Sequence, residues 1–178
     1  YAPLVQRDGE EWTVAVHMLV ADDGNGAFEE RAAAARTRML SRFPGALVLP
    51  EGGVSAQAVQ AGYAWQGGTA TWGYNQAGKP TYLTDDAGQV NQAASAWSNA
   101  GAANFRWAAG SGATTAAPLG ACEDTRDGKN TVGWAGQSGT TLAVTCTWFR
   151  GTGRPKALAE FDMEIDPDYD WTTGDTNV

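Results

Sequence analysis

The clearest pattern in the chain lies at residues 159–171 (AEFDMEIDPDYDW), where Glu160, Asp162, Glu164 and Asp166 alternate with Phe161, Met163 and Ile165. A period of two is that of a strand with one face in a core and the other in water. The alternation therefore predicts a strand whose apolar side is buried and whose acidic side is solvated. Residues 12–20 (WTVAVHMLV) alternate loosely but are dense in β-formers and read as a strand, followed by the turn residues of 22–26 (DDGNG). Over 27–43 the apolar spacing changes to that of a helix through Phe28, Ala32, Ala35 and Met39. Glu29 and Glu30 fall in its first turn, Arg36, Arg38 and Arg42 towards its end, and Pro44 and Gly45 stop it. The short apolar run 46–49 closes a strand, helix and strand.

Residues 54–68 read as a connector, and 69–76 (TATWGYNQ) as a strand carrying Trp72 and Tyr74. Asp86, with Gln89 three residues on, makes a capping box for a helix whose stripe is Val90, Ala93, Ala94 and Trp97, ended by Ala100 and Gly101. Further strands are expected at 104–108, 130–136 and 140–149, with 109–117 a loop. In the strand at 140–149, Leu142, Val144, Cys146 and Trp148 alternate with Ala143, Thr145, Thr147 and Phe149, which suits the edge of a sheet. The fold class is α+β: a twisted mixed sheet with packed helices over 63–178, preceded by a small strand-helix-strand unit within 1–62.

Composition narrows the partners. A net charge of −8 and a pI near 4.5 disfavour nucleic acid and anionic membrane surfaces, and no run of residues is long and apolar enough to span a bilayer. Twenty-three glycines and eight tryptophans belong to a globular, loop-rich chain rather than a disordered one. Cys122 and Cys146 have no metal-binding spacing, and the one histidine, His17, is remote in sequence. Their pairing in a disulfide would stabilise the fold by roughly 3 kcal/mol on a chain-entropy basis and would imply a secreted, oxidising setting. Two buried free thiols are the alternative.

The order from residue 63 onward carries a resemblance. Tyr63-x-Trp65, the Trp72/Tyr74 strand, the helix through Ala96-Trp97, NFRW at 104–107, LAVTCTWF at 142–149, the Gly-rich turn at 151–154 and AEFDMEIDPDYDW are similar to bacterial matrixin-like members of the metzincin zinc endopeptidases. The similarity covers about two-thirds of the chain. LAVTCTWF resembles the family's substrate-flanking edge strand, and AEFDMEIDPDYDW the last strand before its active-site helix. Residues 1–62 hold the position of a pro-segment or N-terminal extension and contain no cysteine for a cysteine-switch latch.

The resemblance implies metal-assisted peptide hydrolysis in the protein to which these residues belong. Zinc would polarise the scissile carbonyl and acidify a bound water, and a glutamate would act as base. The family's His-Glu-x-x-His helix is absent from these 178 residues, so no catalytic residue is assigned here and the sequence is expected to stop about where that helix would begin. The family's structural zinc is excluded too, because Glu160 stands at its strand histidine. What remains is positioning: an extended peptide pairing with the strand at 141–149, with Leu142, Ala143, Val144, Thr145 and Trp148 as substrate-binding residues. Residues 12–49 would then be an inhibitory pro-unit docked on that shelf.

Asp166, Asp168, Asp170 and Asp175 offer hard oxygen ligands for calcium, against the alternative of a solvated acidic loop. An absent active-site helix would leave apolar surface at Phe161, Met163, Ile165 and Trp171 uncovered and favour self-association. A reading from a different class is a carbohydrate- or protein-binding β module that uses exposed tryptophan faces.

Overall fold

The computed structural model describes residues 2–5, 11–20, 28–42, 63–65, 68–99, 106–109, 126–137, 139–150 and 156–171. Eight strands form one mixed sheet: β1 (Ala2–Val5), β2 (Glu11–Val20), β3 (Tyr63–Trp65), β4 (Thr69–Asn75), β5 (Arg106–Ala109), β6 (Thr131–Trp134), β7 (Thr141–Arg150) and β8 (Lys156–Ile165). Two helices accompany them, α1 (Phe28–Arg42) and α2 (Asp86–Asn99). The class is α+β, as the alternation and helical stripes predict.

The strand order is β1-β2-β7-β8-β6-β4-β5, with β3 alongside the start of β8. One half is antiparallel, β1 to β2 to β7 to β8, and the other parallel, β8 to β6 to β4 to β5. Parallel neighbours need a long crossover, and α2 supplies one between β4 and β5. Asn130 fastens the parallel half. Its side-chain amide donates to the Thr71 carbonyl at 2.7 Å, its side-chain oxygen accepts from the Phe161 amide at 2.8 Å, and its carbonyl accepts from the Gly73 amide at 2.9 Å. One side chain thus ties the entrance of β6 to β4 and β8.

The main core lies between this half and α2. Trp72, Tyr74, Leu83 and Trp134 are buried there, with Val90 and Ala94 of the helix and Phe161 and Ile165 of β8 packed against them. Phe161 meets Trp107 edge to face at 5.2 Å between ring centres, and Trp134 meets Trp171 likewise at 6.2 Å. The helical stripe is narrower than the spacing suggests. Ala87, Val90 and Ala94 face the core whereas Ala93 is exposed, and the side chain of Trp97 falls outside the described residues.

Four expectations require correction. The capping role assigned to Asp86 belongs to its neighbour: the Gln89 amide donates to the Asp85 carbonyl at 3.1 Å, and the Asp86 carboxylate turns into the core. The acidic face of β8 is not in water. Glu160, Asp162, Glu164 and Asp166 are all buried, because neighbouring backbone amides and, for Glu164, the Gln137 side-chain amide reach their oxygens. Among the described residues, large apolar side chains at the end of β8 are not left exposed either. Phe161, Met163, Ile165 and Trp171 are half-buried, and among the described residues Leu40 and Tyr82 are the large hydrophobic residues left exposed. Finally, β7 is not an edge strand, since β2 pairs along it from Thr13↔Phe149 to Leu19↔Ala143 without interruption.

The short strands β1 and β3 are additional to the elements read from the sequence, and β1 and β2 are hydrogen-bonded into the common sheet rather than forming a sheet of their own. The expected strand at 46–49 and residues 110–117 of the expected loop lie outside the described residues, and Ala109 closes β5 instead of opening that loop.

Candidate peptide-binding strand and the acidic face beside it

β7 holds all the residues assigned to substrate binding. Its register with β8 runs from Ala143↔Ile165 through Val144↔Glu164, Cys146↔Asp162 and Trp148↔Glu160, with a shift between Trp148 and Phe149. Directly opposed residues of an antiparallel pair share a face. Val144, Cys146 and Trp148 therefore lie on the same side as the β8 carboxylates, and all three are buried. Leu142, Ala143 and Thr145 are half-buried. The structure thus keeps the five predicted residues together on one strand but splits them: Val144 and Trp148 belong to the interior, and Leu142, Ala143 and Thr145 retain exposure.

The carboxylates facing β7 are anchored one by one. Glu160, at 0% exposure, accepts the Asp127 amide at 2.9 Å and the Gly128 amide at 2.6 Å, and pairs with the Arg126 guanidinium at 3.6 Å. Gly128 adopts φ of +82°, a backbone conformation that glycine takes without strain, and so allows this turn to aim two successive amides at one carboxylate. Asp162 accepts the Thr131 amide at 3.0 Å, and Glu164 accepts the side-chain amide of Gln137 at 2.8 Å. Asp166 accepts the backbone amides of Gln137 at 3.1 Å and Asp168 at 3.0 Å.

Burial raises the Glu160 carboxyl to about 7, against the lowering effect of the two amides and Arg126. Burial likewise raises Asp162 to about 7, helped by the charge of Glu160 and opposed by the Thr131 amide. These groups are enclosed and bonded to their own chain. They form a titrating structural strip and not an acid-base pair open to a substrate.

A second polar network sits under the start of α2. Trp134 Nε1 donates to the Tyr74 hydroxyl at 2.6 Å, and that hydroxyl donates to Asp86 Oδ2 at 2.6 Å. Gln76 donates to the same oxygen at 3.1 Å, and Lys79 Nζ lies 3.2 Å from Oδ1. Burial opposes the charge of Asp86, but the hydrogen bonds from Tyr74, Gln76 and Lys79 outweigh it and hold the carboxyl below its ordinary value. Burial first, and then the bond to Asp86, push the Tyr74 phenol well above its usual range. Sequence reasoning placed Asp86 at a helix cap and missed this centre. The Asp-Gly pair at 127–128, two residues ahead of β6, was the available signal for the anchor of Glu160.

The loop after β8 carries the calcium expectation. Both oxygens of Asp166 accept backbone amides, Asp168 and Asp170 are exposed, and Asp175 lies outside the described residues. Among the described residues no group of three or more His, Cys, Asp or Glu side chains is arranged to hold a metal. Among the described residues, His17 sits at a register position opposite Thr145 and Glu160 is committed to amides and Arg126, so neither is placed for a zinc centre. Cys146 is fully buried and no described cysteine is free, whereas Cys122 lies outside the described residues. The described tryptophan rings are packed rather than displayed. Trp72, Trp134 and Trp148 are buried, and Trp65, Trp107 and Trp171 are half-buried and engaged with other aromatic rings.

No family model, no curated protein and no solved structure matches this chain.

Proposed function

We propose that these residues are part of a secreted zinc-dependent endopeptidase, contributing the sheet and the strand along which an extended peptide is held, with the metal-binding helix supplied by sequence outside these 178 residues. One observation carries the reading. The two stretches most similar to the matrixin-like family, LAVTCTWF and AEFDMEIDPDYDW, fall on adjacent antiparallel strands, β7 and β8, where the parallel part of the sheet ends. That is the relation the resemblance implies between a substrate-flanking strand and the strand that leads to the active-site helix. The packing of α2 against the parallel half supports it, since a βαβ crossover from β4 to β5 gives β7 and β8 a rigid neighbour in the same sheet.

No step of hydrolysis is assigned to residues of this chain, whose part is to bind and orient. With β2 displaced from its outer side, the backbone of β7 would supply hydrogen bonds to an extended peptide, and Leu142, Ala143 and Thr145 the side-chain surface beside it. A carbohydrate-binding role is less well supported, because the described tryptophan rings are packed inside or against one another instead of forming an open stacking face.

The test is to read the gene beyond the codon for Val178 and to express the longer protein. A His-Glu-x-x-His helix, stoichiometric zinc and chelator-sensitive cleavage of an unstructured protein are the expected results. An open reading frame without that motif, or a longer protein that cleaves nothing with zinc bound, would overturn the reading.

A further inference from the structure

We infer that β7 is a receiving strand whose present occupant, β2, is an internal stand-in for an extended peptide, so that displacing β2 opens a binding site for peptides of a defined pattern. The inference uses the assignment of β7 as a peptide-holding strand but needs neither zinc nor cleavage. It rests on register and on burial. β2 pairs antiparallel with β7 over seven successive positions before the register shifts between Leu19 and Val20. The pairing does not come from a local hairpin, since β2 and β7 are separated by most of the chain and join only through the sheet. An N-terminal segment has thus added itself to a strand whose other side is already completed by β8. Strand addition of this kind gives affinity through main-chain bonds and selectivity through alternate side chains.

The register specifies that selectivity. Val14, Val16 and Met18 stand opposite Trp148, Cys146 and Val144, the three residues of β7 that face the buried carboxylate strip. Thr13, Ala15 and His17 stand opposite Phe149, Thr147 and Thr145 on the other face. A peptide taking the place of β2 therefore needs apolar residues at three alternate positions, while small or polar residues are accepted between them. Two features hold the occupant in place. β1 covers the outer side of β2, with Pro3 in the outermost strand where a missing amide does not interrupt the sheet. Arg38 of α1 packs against Gly139 at the entry to β7, so close that a Cβ there would lie 2.8 Å from its guanidinium. The N-terminal hairpin and helix thus clamp both the length and the start of the receiving strand.

The experiment uses the full chain and a fluorescein-labelled synthetic peptide of residues 11–20, EWTVAVHMLV, followed by anisotropy. In the double variant V14D/M18D, charges at two of the apolar register positions weaken β2 while leaving every residue of β7 unchanged. Labelled peptide is expected to bind the variant saturably and at least ~10-fold more tightly than wild type, the gain that follows when the competing strand is weakened by about 1.4 kcal/mol. A control peptide with Asp at the positions of Val14, Val16 and Met18 should not compete. Equal binding to wild type and variant, or no binding to a variant whose circular dichroism matches wild type, overturns the inference. Should the variant fail to fold, amide exchange of the native chain decides: β2 amides exchanging about ten-fold or more faster than those of β8, as one unit, support a displaceable strand, and equal rates refute it. None of these readouts depends on a zinc helix, so the peptide site can fail while the protease reading stands, or the reverse.

Discussion

Replacing Tyr74 with Phe removes one oxygen from the interior and changes two bonds at once. The hydroxyl accepts the Trp134 indole N–H at 2.6 Å and donates to the Asp86 carboxylate at 2.6 Å, and all three residues are buried. Phe fits the same space, so no cavity arises and the loss is polar. A hydrogen bond to a charged group contributes about 1.5–3 kcal/mol, and a buried donor left without an acceptor costs about 1–3 kcal/mol. Gln76 and Lys79 still reach Asp86, which keeps the carboxylate partly satisfied. The expected loss is therefore roughly 3–5 kcal/mol, a large part of the 5–15 kcal/mol typical of a domain. Urea unfolding followed by tryptophan emission measures it, at unchanged m-value if the folded and unfolded states keep their compactness. Combining Y74F with W134F should give a double variant more stable than the sum of the single losses predicts, by about 1 kcal/mol or more, because the indole that the first change orphans is gone in the second. A Y74F loss below ~1 kcal/mol, or strictly additive losses, would show that the network contributes little and would refute the argument from buried satisfaction.

Three further outcomes are expected. Glu160 and Asp162 hold protons in the folded chain up to about 7 that the unfolded chain releases in the ordinary carboxylate range, so their contribution makes stability fall as pH rises between those limits. Unfolding midpoints at pH 5 and pH 8 should show this, and D162N should flatten the difference; a midpoint that rises over the same interval would contradict it. Gly139 sits at φ of +69° against Arg38, so G139A should cost roughly 1–2 kcal/mol through backbone strain and crowding, part of which R38A restores, whereas a neutral G139A would deny the contact. Titration of the unfolded, unreduced chain with a thiol reagent should find no reactive group if Cys122 and Cys146 are bonded to each other, and two reactive thiols would exclude that pairing.

The strands and helices were largely legible where one local period dominates. The alternation at residues 159–165 and the spacing of Val90 and Ala94 need only neighbours in sequence to be recognised. What could not be read was which partner each face meets. The carboxylates of β8 look solvated because Asp and Glu usually are, and it is donors remote in sequence, the amides of Asp127, Gly128 and Thr131 and both amides of Gln137, that make their burial tenable. Asp86 misled for a related reason: it precedes a helix, as a cap should, but Tyr74 on β4 captures its carboxylate. The pairing of β2 with β7 was illegible in a stronger sense, since two strands with compatible alternation carry no mark of being neighbours. β1 and β3, at four and three residues, are too short for any period to register.

The position of β2 also has a consequence for how the molecule comes to be folded. During synthesis β2 leaves the ribosome long before β7, and of its two described partners β1 alone exists until then, a two-stranded hairpin that is marginal in water. β7 and β8, joined by a short connection, can form together and quickly, whereas the encounter of β2 with β7 closes most of the chain into one loop and belongs to the slow, non-local class of contacts. A strand made early relative to β7 is thus among the last to find its place, and throughout that interval the outer side of β7 is an open template on which a strand from another molecule can pair as well as the chain's own.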